Sequence, residues 1–293
     1  MTRLSEQDLT RGFTPRAFAG YLAGELRTDV RRLAARAWDA DPDALAAALR
    51  GKRVAAVTVT SGEGAIGGFA RALADTGELM GAEARVMESA DGPGFAEADR
   101  WGADIVVFSD DSDFVAADRN TGRVVHNNPA TARVFVAALE LLNGGSLKGE
   151  GVTVLGLGPV GFFAAERLME LGARPAARDV DRGRLFTAGR MLPGLDTLPG
   201  EEDLARALAR SATPLIFEAV PCERALPDAL YERLLGGPAP VVSAPGVPLS
   251  WPAAWLGGEG GRLFHEPLMA GTASMLAGLF AERYDERFSR AFP

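Results

Sequence analysis

Gly156-x-Gly158-x-x-Gly161 stands directly after the apolar run Val152 to Leu155, and Asp179 follows Gly161 by eighteen positions. Each residue type meets a physical demand. Gly156 permits a tight turn, Gly158 lets backbone approach a diphosphate, and Gly161 permits a helix to pack closely on its strand. The anion would face the N–H groups that open the helix, with Leu157, Pro159 and Val160 completing the turn. An acid at Asp179 can accept hydrogen bonds from both hydroxyls of a ribose and repels a 2′-phosphate, so NAD rather than NADP is the expected cofactor, although Arg178 and Arg182 flank that acid.

A second constellation is acidic. The segment Ser109-Asp110-Asp111-Ser112-Asp113 closes an apolar run from Asp104, and ligands of open parallel sheets bind beyond the carboxyl ends of strands. Adjacent residues leaving a strand point to opposite sides, so Asp110 and Asp111 are expected to divide two jobs: one binds a substrate ammonium, the other caps a turn. The bland reading is a solvated acidic loop. His265 ends the last strand, and because an imidazole can exchange a proton near neutral pH it is a weaker candidate proton acceptor, with a hydrogen-bonded strand-end histidine as its bland alternative. Ser61 and Gly62 could offer a hydroxyl and backbone N–H groups to a substrate carboxylate, Asn127 and Glu223 could orient substrate, and Val220 with Pro221 would pass the nicotinamide ribose. Cys222 reads as packing, since no histidine lies near it in sequence. No metal centre is expected.

A rival glycine triplet, Gly62-x-Gly64-x-x-Gly67, follows the run 53–60, and Glu88 lies twenty-one positions beyond it, imitating the ribose acid. Polar Thr58, Thr60 and Ser61 line its mouth. The later triplet, entered from an apolar strand, is therefore the one assigned to the nucleotide.

These residues need two sheets to hold them. Residues 53–60, 84–88 and 104–109 with an intervening helix form a β-α-β-α-β unit, followed by a hairpin turn at 120–123 and a long helix over 130–142. Asn143-Gly144-Gly145 reads as the hinge. Strands at 152–155, 173–178, 214–220, 240–243 and 262–265, separated by helices, make a second parallel sheet. The expected fold is thus α/β: a Rossmann-type doubly wound domain over residues 144–293, including the C-terminal helix, beside a smaller N-terminal α/β domain over 1–143. Before the first strand the chain reads as short helices, with Ser5, Thr14-Pro15 and Asp41-Pro42 as caps.

Composition narrows the partners. A net charge of −8 argues against nucleic acid and anionic membrane and suits a cationic or neutral small molecule. The single cysteine forbids an intramolecular disulfide, and Arg3, Glu6, Asp8 and Arg11 interrupt any leader-like apolar run, so cytoplasmic placement is expected. An apolar helix near Met269 to Phe280 could pack between domains or between subunits, leaving a homodimer open.

The segments Ser109-Asp-Asp-Ser-Asp-Phe-Val-Ala116, Gly122-Arg-Val-Val-His-Asn127 with Ala130-Thr131, Leu155 to Gly161, Ala244-Pro-Gly-Val-Pro248, and His265-Glu-Pro-Leu with Gly271 and Met275 resemble the PylD family over about residues 52 to 280. That resemblance implies a Rossmann NAD domain beside an N-terminal α/β domain. It also implies oxidation of the terminal amine of 3-methylornithyl-N6-lysine, with ammonia release and ring closure to pyrrolysine. The sequence departs from the family in Asp118, where an asparagine is expected, and in longer segments at the N-terminus and over Trp251 to Gly261. Another NAD(P)-dependent oxidoreductase on a related two-domain fold, or a non-catalytic NAD-sensing protein, are the alternatives. Glutamate-type and shikimate dehydrogenases use a catalytic lysine of the N-terminal domain. The only lysine before the hinge here is Lys52, which precedes the first strand.

Overall fold

The computed structural model describes residues 14–237, 239–252, 262–282 and 284–289. The expected cap at Ser5 and the segment 253–261 lie outside these residues. By its internal contacts the chain divides into two units, one over residues 135–265 and one that takes in the chain up to Val134 and returns at Glu266.

The N-terminal unit begins with α1 (Pro15–Tyr21), α2 (Val30–Ala37) and α3 (Pro42–Leu49). Thr14, Asp29 and Asp41 each accept a backbone N–H from the first turn of the helix that follows, and Pro15 and Pro42 sit where no N–H is needed. The sheet then forms from β1 (Arg53–Thr58), β2 (Glu83–Ala90), β3 (Ile105–Ser109), β4 (Phe114–Asp118) and β5 (Val124–His126), in the order β2-β1-β3-β4-β5. β1 pairs in parallel with β2 and β3, whereas β4 runs antiparallel to both β3 and β5. β1, β3 and β5 therefore point the same way, and their carboxyl ends share one edge. Helices α4 (Phe69–Leu79) and α5 (Asp91–Trp101) connect the parallel strands, and α6 (Asn127–Leu142) leaves β5 for the second unit. Phe18, Leu33, Leu49, Phe69, Leu73 and Ile105 are fully buried in this unit.

The second unit carries β6 (Gly151–Leu155), α7 (Pro159–Glu170), β7 (Arg174–Arg178), α8 (Arg182–Met191), β8 (Asp196–Thr197), α9 (Glu201–Leu208), β9 (Leu215–Glu218), α10 (Asp228–Gly236), β10 (Val241–Ser243) and β11 (Arg262–Phe264). All its strands are parallel, in the order β11-β10-β9-β6-β7-β8. The order reverses across β6, which is the doubly wound Rossmann arrangement expected from the sequence. β9 and β10 lie buried as short β-branched and aromatic runs, and Phe135 stacks edge-on to Phe264 at 4.8 Å beneath them.

The two units differ from the expected domains in two respects. The C-terminal helix α11 (Met269–Gly278) groups with the N-terminal unit, not with the Rossmann sheet, and the boundary falls within α6 rather than at residue 143. Every residue of α11 is buried. Its partner is Trp38: the indole N–H donates to the Ser274 carbonyl at 2.8 Å, and the ring lies edge-on to Phe288 at 4.9 Å. A Cβ on Gly278 would stand 2.6 Å from that ring. No helix among the described residues is long and apolar enough to cross a membrane. Gly278→Ala is expected to lower the unfolding free energy by about 1–3 kcal/mol through overpacking; urea unfolding indistinguishable from the parent would contradict the Trp38 contact.

Candidate functional site

The glycine turn after β6 is built backbone against backbone. Gly156 has φ +87°, open to glycine at no steric cost, and a Cβ on it would meet the Ala219 carbonyl oxygen at 2.7 Å and Val220 Cγ1 at 2.8 Å. A Cβ on Gly161 would lie 1.9 Å from the Gly156 carbonyl oxygen, so α7 packs on β6 only because that position is glycine. α7 starts at Pro159, immediately after Gly158, and no side chain caps it. Its first turn, including Val160, thus faces outward in the form an anion would complete. Among the described residues, only the Arg184 guanidinium, at 3.9 Å, approaches the open face of Gly158.

Asp179 is tied into this turn. Buried just past the end of β7, it accepts the Leu157 N–H at 2.7 Å through one oxygen and the Asp181 N–H at 2.8 Å through the other. The Arg184 guanidinium stands 4.0 Å from the first of these oxygens, while the Arg178 guanidinium donates to the Asp179 carbonyl. A carboxylate fixed beside a bare glycine turn and an uncapped helix start fits a dinucleotide, with its oxygens retaining lone pairs for ribose hydroxyls.

The rival triplet is built differently. Gly62 to Ala65 forms a 3-10 turn, and α4 begins only at Phe69. Glu88 lies exposed inside β2, two residues before its end, and no glycine-turn N–H reaches it. Instead Gly62 and Gly64 press on the exit of β3: a Cβ on either would lie 2.2 Å from the carbonyl oxygen of Asp110 or Ser109 respectively.

That contact gathers the other candidates at the carboxyl edge of the N-terminal sheet, where Ser61 and Gly62 leave β1, Asp110 and Asp111 leave β3, and Asn127 follows β5. The two adjacent acids sit in different surroundings. Asp110 accepts the Ser112 N–H at 2.7 Å and the Asp113 N–H at 2.8 Å, and its own N–H donates to the Asp113 carbonyl at 2.8 Å. Those donors hold its carboxyl below the usual range and commit it to the turn. Asp111 stays exposed. Asn127 accepts the Thr131 hydroxyl at 2.9 Å.

Three groups escaped the sequence reading. His126 is buried; its Nδ1 accepts the Asn128 N–H at 3.1 Å, which places the ring proton on Nε2, 3.5 Å from Asp113. Burial, only partly opposed by Asp113, lowers its pKa, so the ring is neutral at pH 7. Glu266 is buried and accepts the N–H groups of Leu268 at 3.1 Å and Ala270 at 2.6 Å at the start of α11; burial raises its pKa and these bonds oppose the rise. Glu218, at the end of β9, is buried and accepts the Ser250 hydroxyl and, at 3.4 Å, the Val220 N–H. Burial pushes its carboxyl up to about 7. Only an apolar run broken by an acid at a strand end could have flagged Glu218. In the same unit His265 is buried with Nδ1 2.7 Å from the Ala244 carbonyl oxygen, whereas Pro221, Cys222 and Glu223 are exposed.

With this geometry in place, comparison with known proteins is decisive. Residues 23–125 match the family described as pyrrolysine biosynthesis protein PylD, N-terminal domain. The chain is 32% identical to pyrrolysine synthase of Methanosarcina acetivorans over 225 residues, 77% of this chain and 81% of that one. The protein belongs to the PylD family. Pyrrolysine synthase of Methanosarcina barkeri is likewise 32% identical, over 77% of this chain and 80% of that one. Among solved structures, shikimate 5-dehydrogenase of Thermus thermophilus in complex with shikimate has a TM-score of 0.50 at 17% identity, covering 79% of this chain and 92% of that one. The likeness is one of fold. In this PylD-family chain Lys52 pairs with Asp104 at 3.2 Å at the amino end of β1, the opposite edge from Ser61 and Asp110.

The Glu218 environment has a thermodynamic consequence. The unfolded chain ionises this group near its ordinary 4.5 while the fold keeps the proton to about 7. Its contribution to stability is therefore full below pH 4.5, falls as pH rises through that window, and is flat above it. Relative to Glu218→Gln, the parent should lose about 3 kcal/mol of unfolding free energy across the window; a constant difference between the two urea titrations would refute it.

Proposed function

We propose that this protein is the NAD-dependent dehydrogenase that oxidises the terminal amine of 3-methylornithyl-N6-lysine and closes the pyrroline ring of pyrrolysine. The observation that carries the reading is 32% identity to pyrrolysine synthase over 77% of the chain. Asp179 set against the Leu157 N–H supports the coenzyme half of it, and the acidic carboxyl edge of the N-terminal sheet supports the substrate half. A cytoplasmic setting accords with the lone, exposed Cys222.

When bound, NAD supplies the hydride acceptor, and this is the chemistry it brings. The turn Gly156 to Gly161 would hold its diphosphate, Asp179 its adenosine ribose, and Val220 with Pro221 would border the nicotinamide ribose. Loss of hydride from the carbon bearing the amine requires the nitrogen lone pair, so the amine must first be unprotonated. Asp111, exposed and not committed to the turn as Asp110 is, receives the ammonium; Asp110 keeps the loop in shape for it. His265, whose Nδ1 donates to the Ala244 carbonyl, is the weaker candidate for taking the amine's proton. Ser61, Gly62, Asn127 and Glu223 orient the rest of the dipeptide. Loss of hydride leaves an iminium on the substrate. Water adds to it, ammonium departs, and the aldehyde condenses with the neighbouring α-amine, releasing water and forming the ring C=N bond.

The test is formation of NADH with the dipeptide against a panel of other amines and alcohols, in the parent and in Asp111→Asn. The dipeptide should be preferred, and the variant should lose about 100-fold in kcat/KM with NAD affinity unchanged. Equal turnover of simple alcohols would remove the assignment, and a variant within a few-fold of the parent would remove Asp111 from the mechanism.

A further inference from the structure

Among the described residues, Glu218 is the most deeply buried acid at the carboxyl edge of the Rossmann sheet, and the loops around it form a mechanical series. Gly156, first residue of the glycine turn, abuts Ala219 and Val220, which leave β9. The Val220 carbonyl in turn abuts Gly246, which leaves β10: a Cβ on Gly246 would stand 2.4 Å from that oxygen and 2.9 Å from Glu218 Oε1. Glu218 closes the series, since one oxygen accepts the Val220 N–H and the other the Ser250 hydroxyl. Glu218 thereby ties the exits of β9 and β10 to each other, and Ala219 with Val220 seats that pair against the exit of β6.

We propose that Glu218 is a positioning residue for the coenzyme: by bonding to both Val220 and Ser250 it clamps the β9 and β10 exit loops against the turn that receives the dinucleotide. The proposal rests on the dinucleotide reading and extends it, because this acid lies outside the glycine motif. The groups that face Glu218 are the Ser250 hydroxyl, the Val220 N–H and the Trp251 indole; the Tyr231 phenol interacts with it at longer range and itself lies under the Arg224 guanidinium, 5.2 Å from its ring centroid. No cation among these directly offsets a charge on Glu218. In the neutral form the acid is compatible with its surroundings; ionised, it is a buried charge held only by neutral donors, and the clamp is expected to loosen. Buried groups with perturbed protonation at the carboxyl edge of such a sheet are where function concentrates.

The experiment measures NAD affinity by titration calorimetry at about pH 6 and about pH 8, and hydrogen exchange of residues 219–223 and 244–250 without coenzyme, in the parent, Glu218→Gln, Glu218→Ala and Gly246→Ala. The parent should bind NAD about tenfold more weakly at the higher pH, with faster exchange in both loops. Glu218→Gln, permanently neutral and of the same shape, should bind with the same affinity at both. Glu218→Ala and Gly246→Ala should bind weakly and exchange fast at both. A folded Glu218→Ala with parental affinity and loop protection overturns the proposal. Where Glu218→Ala does not fold, a Gln variant that keeps the parental pH dependence overturns it equally. A parent that binds neither NAD nor NADP at either pH defeats the dinucleotide reading, and with it any role in the coenzyme site; loop exchange then still decides whether Glu218 is the clamp.

Discussion

The Rossmann unit depends on one close approach, that of Gly161 to the carbonyl oxygen of Gly156, where a side chain at either position would meet backbone. Because no Cβ intervenes, α7 can begin at Pro159 without a connecting loop, and the uncapped N–H groups of its first turn fall beside the end of β6. The same economy brings Leu157 within reach of Asp179, so the acid that follows β7 and the turn that ends β6 are fixed by one hydrogen bond of 2.7 Å. Backbone geometry, rather than side-chain charge, thereby prepares the place for an anion with an acid at a set distance from it.

The N-terminal unit solves a different problem. It must hold several carboxylates close together without mutual repulsion unfolding the loop. Asp110 does so by accepting two backbone N–H groups, which stabilises its charge and shapes the turn that carries Asp111 and Asp113. Gly62 and Gly64 then lock this turn to the exit of β1. The result is an acidic edge in a chain of net charge −8.

Much of this was legible because the signals were local. A glycine triplet after an apolar strand, a Thr-Pro or Asp-Pro helix start and an Asp-Asp pair at a strand end each carry their geometry in a few consecutive residues. What could not be read depended on distant partners. α11 carries no charged residue, so its sequence announces burial but not against what; the answer is Trp38, 236 positions away from Ser274. Glu218 reads as the end of an apolar strand, and only the fold reveals that Ser250 and Val220 are its partners. His126 and Glu266 were hidden for the same reason: burial and the direction of a ring nitrogen or carboxylate are tertiary facts. That Asp110, and not Asp111, accepts the turn N–H groups is visible only in the fold.

The most direct measurement is a crystal structure of the protein soaked with NAD. The diphosphate is expected on the start of α7, over Gly158, and the adenosine ribose hydroxyls on the Asp179 carboxylate. Coenzyme found instead on the turn around Gly64, or a glycine turn that stays bare at saturating NAD, would contradict this arrangement.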